Sequence, residues 1–151
     1  MKKVANKEIA LKGVLKAIVG FLNTEGGKVV IGAIEKSQYP KLPDNFLALF
    51  PEYQNYYLPG IEIELDKKGV DDYLLKVRNL IEQHIARDLA DIVTSTVAIL
   101  NGKTLCLIEI AEVSDRWYYL NKNDFFVRDG NRTILLQGED ADKYKRRRNR
   151  G

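Results

Sequence analysis

Residues 93 to 113 constrain the fold more than any other stretch of the chain. Two apolar, β-branched runs, Val93 to Leu100 and Lys103 to Val113, flank the dipeptide Asn101-Gly102. Asn and Gly tolerate the positive φ angles that a two-residue type I′ turn requires at both positions. The segment therefore predicts a long antiparallel hairpin, around which the remaining elements have to be arranged.

Those elements are mixed. Over residues 7 to 22, Leu11, Leu15, Ile18 and Leu22 recur at helical spacing, with Val14 and Phe21 alongside. Asn23-Thr24-Glu25-Gly26-Gly27 ends this helix, because glycines past a helix end supply the left-handed closing turn. Lys28 to Ile34 then predicts a buried strand. Residues 36 to 60 show no period and hold all 4 prolines, which predicts a long surface excursion with one helical turn around Phe46 to Leu49. Ile61, Ile63 and Leu65 alternate with Glu62 and Glu64, the pattern of a half-buried strand. Asp71-Asp72 opens a second helix whose apolar stripe is Leu74, Val77, Ile81 and Ile85. Asp124 to Arg128 predicts a strand turned by Asp129-Gly130-Asn131, and residues 138 to 148 predict a final helix. The expected fold is α+β, a single domain with a mixed or antiparallel sheet, the Asn-Gly hairpin at its centre and helices flanking it. It spans residues 1 to 142, followed by a basic tail over 143 to 151.

Composition excludes several classes. Apolar runs such as Val29-Val30-Ile31 are short, and none approaches the roughly 18 residues of a membrane span. The first residues contain no apolar signal core, so a cytoplasmic location and no membrane partner are expected. A lone Cys106 permits no internal disulfide and no cysteine-based zinc cluster, and a lone His84 leaves out histidine-rich sites. Any metal would be a hard ion held by carboxylates. The net charge of +3 is unevenly spread: the last nine residues carry +6 and residues 1 to 12 carry +3, which leaves −6 on residues 13 to 142. The basic footprint lies at the ends, densest in the tail.

Residues 23 to 28 superficially suggest a phosphate-binding loop. The order here is helix, glycines, strand, the reverse of the strand-to-helix order that aims a helix N-terminus at phosphate. A structural turn is the better reading. Glu35 follows the first strand, where a carboxylate can hold Mg²⁺ given partners. Glu62, Glu64 and Asp66 are expected to form an exposed charged edge, His84 to sit partly buried beside its helix stripe, and Cys106 to pack in the core. Arg116-Trp117-Tyr118-Tyr119 combines a cation with rings that either stack bases or pack on the core. Tyr53, Tyr56 and Tyr57 suggest a partner-facing or base-stacking loop rather than core.

Phe21-Leu22-Asn23-Thr24-Glu25-Gly26-Gly27-Lys28-Val29-Val30-Ile31-Gly32 resembles the A-F-x-N-T-x-G-G-x-x-x-I-G signature of Schlafen-type AlbA-like domains. Asp72 to Ile81 is similar to that family's second helix, Asn101 to Cys106 to its central hairpin, and Phe125 to Thr133 to its closing F-[FY]-V-R-x-G-N-x-T motif. The stretch from Glu139 through Tyr144 to Arg148 also fits. The resemblance implies a sheet with flanking helices that binds DNA or RNA, often as one module of a regulatory or defence protein. Some members cleave tRNA or other RNA with divalent metal, using two glutamates of an E-S-x-x-x-E-F-K-like strand and an acid after the I-G strand. Glu35 falls at the third acid. The leading strand has no counterpart here, which removes two of the three acids and leaves a sheet edge that invites dimerisation or a partner strand. Residues 36 to 60 replace a short D-D-x-G turn, and Arg116 to Tyr119 replace a proline-containing stretch.

Three functions are therefore expected in order. The first is nucleic-acid binding, with Arg116, Lys122, Arg128, Arg132 and the tail residues Lys145, Arg146, Arg147 and Arg148 on phosphate, and Tyr118 or Tyr119 stacking bases. The second is an RNA endonuclease with Glu35 as a ligand to Mg²⁺ or Mn²⁺; no cofactor is expected otherwise. The third is a protein-interaction domain, homodimeric or docking through the open edge or the tyrosine-bearing excursion.

Overall fold

The computed structural model describes residues 3–35, 52–54, 56–62, 65 and 69–150. Its elements run α1 (Lys3–Leu22), β1 (Gly27–Ile31), β2 (Ile34–Glu35), β3 (Glu52–Tyr53), β4 (Tyr56–Tyr57), α2 (Val70–His84), β5 (Val93–Leu100), β6 (Lys103–Ile110), β7 (Phe125–Asp129), β8 (Arg132–Leu136) and α3 (Gly138–Arg148). The hairpin forms in the expected register. Leu100 faces Lys103 and Val93 faces Ile110, with Asn101 at φ 50° and Gly102 at φ 77°. Both turn residues are thus left-handed, as a type I′ turn demands.

β6 is the centre of the main sheet, in the order β1-β6-β5, and β1 pairs with it antiparallel from Gly27 opposite Ile110 to Ile31 opposite Cys106. Alternation along the strands decides which face is covered. Cys106, Ile108, Ile110 and Val93 point to one side, where Leu15, Ile18, Val19 and Leu22 of α1 meet Tyr73, Val77 and Ile81 of α2. Each such fully buried aliphatic side chain stabilises the fold by roughly 1.5–3 kcal/mol. Gly26 makes the entry to β1 possible. Its φ is 75°, and a Cβ there would come within 2.6 Å of the Ile110 carbonyl oxygen.

β7 and β8 form a second antiparallel hairpin, from Phe125 opposite Leu136 to Asp129 opposite Arg132. Period-2 alternation makes β7 a shared wall. Phe126 enters the main core, whereas Phe125 and Val127 face a smaller cluster with Ala141 of α3, bordered by Trp117, Tyr119, Ile134, Leu136 and Tyr144. α3 is therefore docked on the far side of β7 from α1. The boundary expected at residue 142 falls inside this helix.

The structure corrects the sequence reading in three places. Strand pairing breaks at Gly32, so the predicted 28–34 strand becomes β1 and β2. The excursion contains the short strands β3 and β4, which pair with β2 in the order β2-β4-β3; the turn expected at 46–49 lies outside the described residues. Ile61 to Leu65 does not read as a strand where it is described, because the Leu65 amide donates to the carbonyls of Ile61 (3.1 Å) and Glu62 (3.2 Å), closing a helical turn.

Candidate nucleic-acid interface

The turn after α1 is the joint of the molecule. Asn23 is fully buried. Its amide donates to the carbonyls of Tyr118 (2.8 Å) and Phe126 (2.9 Å), and its side-chain oxygen accepts the Tyr118 amide (2.8 Å). A buried amide is tolerated only when satisfied in this way. Thr24 Oγ1 donates to the Gly20 carbonyl (2.9 Å) and accepts the Arg128 amide (3.0 Å). Two polar side chains thus fix the aromatic segment 117–119 and strand β7 against the end of α1.

α3 reaches the same joint from outside. The Tyr144 hydroxyl donates to the Asn23 carbonyl (2.8 Å). The Arg150 guanidinium donates to the carbonyls of Leu22 (2.7 Å), Thr24 (3.0 Å) and Arg116 (3.2 Å). The last carbonyls of a helix lack intrahelical partners and carry partial negative charge, so a cation is well placed there. Burial pulls the Arg150 guanidinium below the ordinary arginine range; Tyr144 opposes this and the Arg148 charge adds to it.

The helical period sorts the basic run into two groups. Ala141, Tyr144, Lys145 and Arg148 recur at three and four residues and face the aromatic cluster. The Lys145 ammonium lies 4.8 Å from the Tyr119 ring centre and 4.7 Å from that of Phe125, and donates to the Tyr119 hydroxyl. Arg148 lies over Tyr144 at 4.7 Å and Arg150 over Trp117 at 4.5 Å. Trp117 meets Phe125 edge-on at 5.6 Å. Lys143, Arg146 and Arg147 fall on the opposite, exposed face of α3. Lys143 pairs loosely with Glu139 at 3.4 Å, and both side chains are more than half exposed. Arg146 and Arg147 have no hydrogen-bond or ion-pair partner among the described residues.

The other predicted residues divide by location. Arg116 is exposed next to this patch, stacked on Tyr118 at 4.6 Å and paired with Asp88 at 2.9 Å. Tyr118 is only 3% exposed and belongs to the main core, so its ring has no free face for a base. Burial pushes its hydroxyl up, with the Arg116 charge opposing. Tyr119 is half-buried at the cluster margin. Arg128 lies elsewhere, over the Phe21 ring at 4.5 Å with a 2.9 Å bond to Thr133 Oγ1, in a space that exists because Gly20 has no side chain. Burial pulls its guanidinium down. Arg132 is exposed on the β7–β8 turn beside Asp129, and Lys122 sits on the turn after Leu120, next to the His84–Asn121 contact. Arg150 and Tyr144 were not foreseen as a joint. Their partners at the end of α1 lie more than 120 residues away in sequence, and only the basic-aromatic composition of 144–150 hints at a role.

Glu35 forms part of β2, where its backbone pairs with Tyr56; its side chain lies outside the description. Among the described residues no three His, Cys, Asp or Glu side chains converge on a point that could hold a metal ion. The described donors thus do not make a site for Mg²⁺ or Mn²⁺. No helix among the described residues is long and apolar enough to cross a membrane.

Comparison with known proteins agrees with this geometry. The crystal structure of the DIP2311 protein from Corynebacterium diphtheriae is similar in fold, with a TM-score of 0.55 at 15% identity, covering 94% of this chain and 20% of that one. The chain thus spans about one fifth of the length of that protein. The comparison with curated proteins gives no match. The Schlafen, AlbA_2 family profile matches residues 1–137, a span that holds the Asn23–Thr24 joint, the Asn-Gly hairpin and the β7–β8 hairpin. With motifs, topology and profile in agreement, the chain belongs to the Schlafen, AlbA_2 family, a family of nucleic-acid-related domains.

Proposed function

We propose that this domain binds the phosphate backbone of nucleic acid through the outward face of α3. The observation that carries the reading is the division of the basic run. Lys145, Arg148 and Arg150 are engaged with rings and helix-end carbonyls, while Arg146 and Arg147 stand exposed without partners on a helix that is thereby held rigid. Cations held on a docked helix lose less freedom on meeting a phosphate than cations on a mobile tail. Lys143 joins them readily, because an exposed pair such as Lys143–Glu139 contributes only about 0–1 kcal/mol. Arg116 extends the patch on the adjoining loop, and Tyr119 is the ring at its margin that a base could stack on. This arrangement favours backbone contacts over base readout, so DNA and RNA are both accepted.

The test is the affinity of labelled single-stranded RNA, single-stranded DNA and duplex DNA for the wild-type chain and for R146Q/R147Q at low salt. The double variant is expected to bind all three about tenfold more weakly, with its Tm unchanged. Unaltered affinity in a folded double variant would remove α3 from the interface.

A further inference from the structure

The second feature of the surface lies away from α3, along the free side of β1. Among the described residues β1 pairs only with β6, so its other edge carries unpaired backbone N–H and C=O groups. A cavity of about 560 Å³ opens along this edge. Ala17, Phe21 and Arg128 line it on the side of α1 and β7, and Leu58, Leu105 and Leu107 line it on the opposite side. Lys28 and Val30, which share one face of β1, lie between them; Val30 is 45% exposed. The guanidinium of Arg128 at this wall is incompletely satisfied. One of its terminal nitrogens binds Thr133, but its Nε is buried with no hydrogen-bond partner. The Nε is closed to an arriving group, but the guanidinium charge at this wall attracts a carboxylate that enters the cavity.

From these features we infer that the β1 edge accepts an extended acidic peptide, which adds a strand antiparallel or parallel to β1. A strand projects alternate side chains to opposite faces, and the two walls of this cavity differ in the same alternating sense. Apolar side chains of the guest on one face meet Val30, beyond which Leu105 and Leu107 of β6 continue the apolar surface, while carboxylates on its other face meet Arg128. Lys28, on the rim, adds long-range attraction for the acidic segment. A nucleic acid suits the cavity less well, since an apolar wall and a strand edge offer no row of cations to a phosphate backbone. The proposal is independent of the α3 interface.

The probe is a synthetic eight-residue peptide alternating glutamate and valine, with a lysine–valine peptide of the same length as control. Binding is read by fluorescence anisotropy and by amide shifts of residues 27–31 in the intact chain. The acidic peptide is expected to bind saturably and to shift those amides. Lys28→Glu, at an exposed position, is expected to weaken it about tenfold without altering oligonucleotide affinity. Arg128→Gln serves as the second variant and is expected to act in the same direction once shown to fold. Four results would each overturn the inference: no saturable binding of the acidic peptide, equal binding of the lysine–valine peptide, displacement of the peptide by an oligonucleotide, or self-association of the chain that shifts the same amides without peptide.

Discussion

Replacing Asn23 by alanine leaves the carbonyls of Tyr118 and Phe126 and the amide of Tyr118 buried without partners. Each orphaned group costs about 1–3 kcal/mol, so Asn23→Ala is expected to lose about 3 kcal/mol or more. For a chain of this size that lowers Tm by roughly 10 °C, measurable by calorimetry. Arg150→Ala removes donors from the carbonyls of Leu22 and Thr24 and is expected to cost about 1–2 kcal/mol, whereas Arg147→Ala stays within about 0.5 kcal/mol of wild type. Equal Tm values for the two arginine variants would contradict the division of the tail. The sequence marks Asn23 as part of a turn and the run from Lys145 as basic, but it does not say which cations face inward. That information resides in Trp117, Tyr119 and Phe125, rings distant in the chain that only the fold brings under α3.

Elements with strong local signals are legible in the sequence. The 93–110 hairpin follows from Asn101-Gly102, and the helix over 138–148 lies where the acidic opening and basic close place it. Short elements are less so. Two-residue strands such as β3 and β4 are too brief to show alternation, and their pairing depends on partners rather than propensity. The 61–65 segment shows how a period can mislead: alternation there accompanies a helical turn in which Glu62 turns back to accept the Thr104 amide at 2.8 Å. Burial raises the Glu62 carboxyl, but the bonds from Thr104 and the nearby Lys103 charge outweigh it, so the group titrates below its usual 4.5. A carboxyl lowered in the folded state stabilises the fold above the unfolded-state range and loses that contribution as pH falls through the folded value. Glu62→Gln is therefore expected to lower Tm slightly at neutral pH, and the gap to wild type is expected to narrow as pH falls through the lowered Glu62 value. A gap that widens with acid would contradict the Thr104 contact.

At the scale of the whole molecule, charge and shape separate two surfaces. α3 carries outward cations at the end of a chain whose residues 13 to 142 sum to −6, so attraction to a polyanion is local and strongly screened by salt. The edge of β1 lies by contrast in a cavity with an apolar wall. Deleting residues 145 to 151 would confound the two roles of the basic run, since it removes the Arg150 contacts with α1 along with Arg146 and Arg147. The direct test of the central claim is the slope of log K against log salt for a single-stranded oligonucleotide, measured on the wild type and on R146Q/R147Q. Each phosphate contact on a single strand contributes about 0.7 to that slope, so the double variant is expected to lose roughly 1.4 units while keeping its Tm. Identical slopes for the two proteins would show that Arg146 and Arg147 make no phosphate contact, and would contradict the assignment of α3 as the nucleic-acid interface.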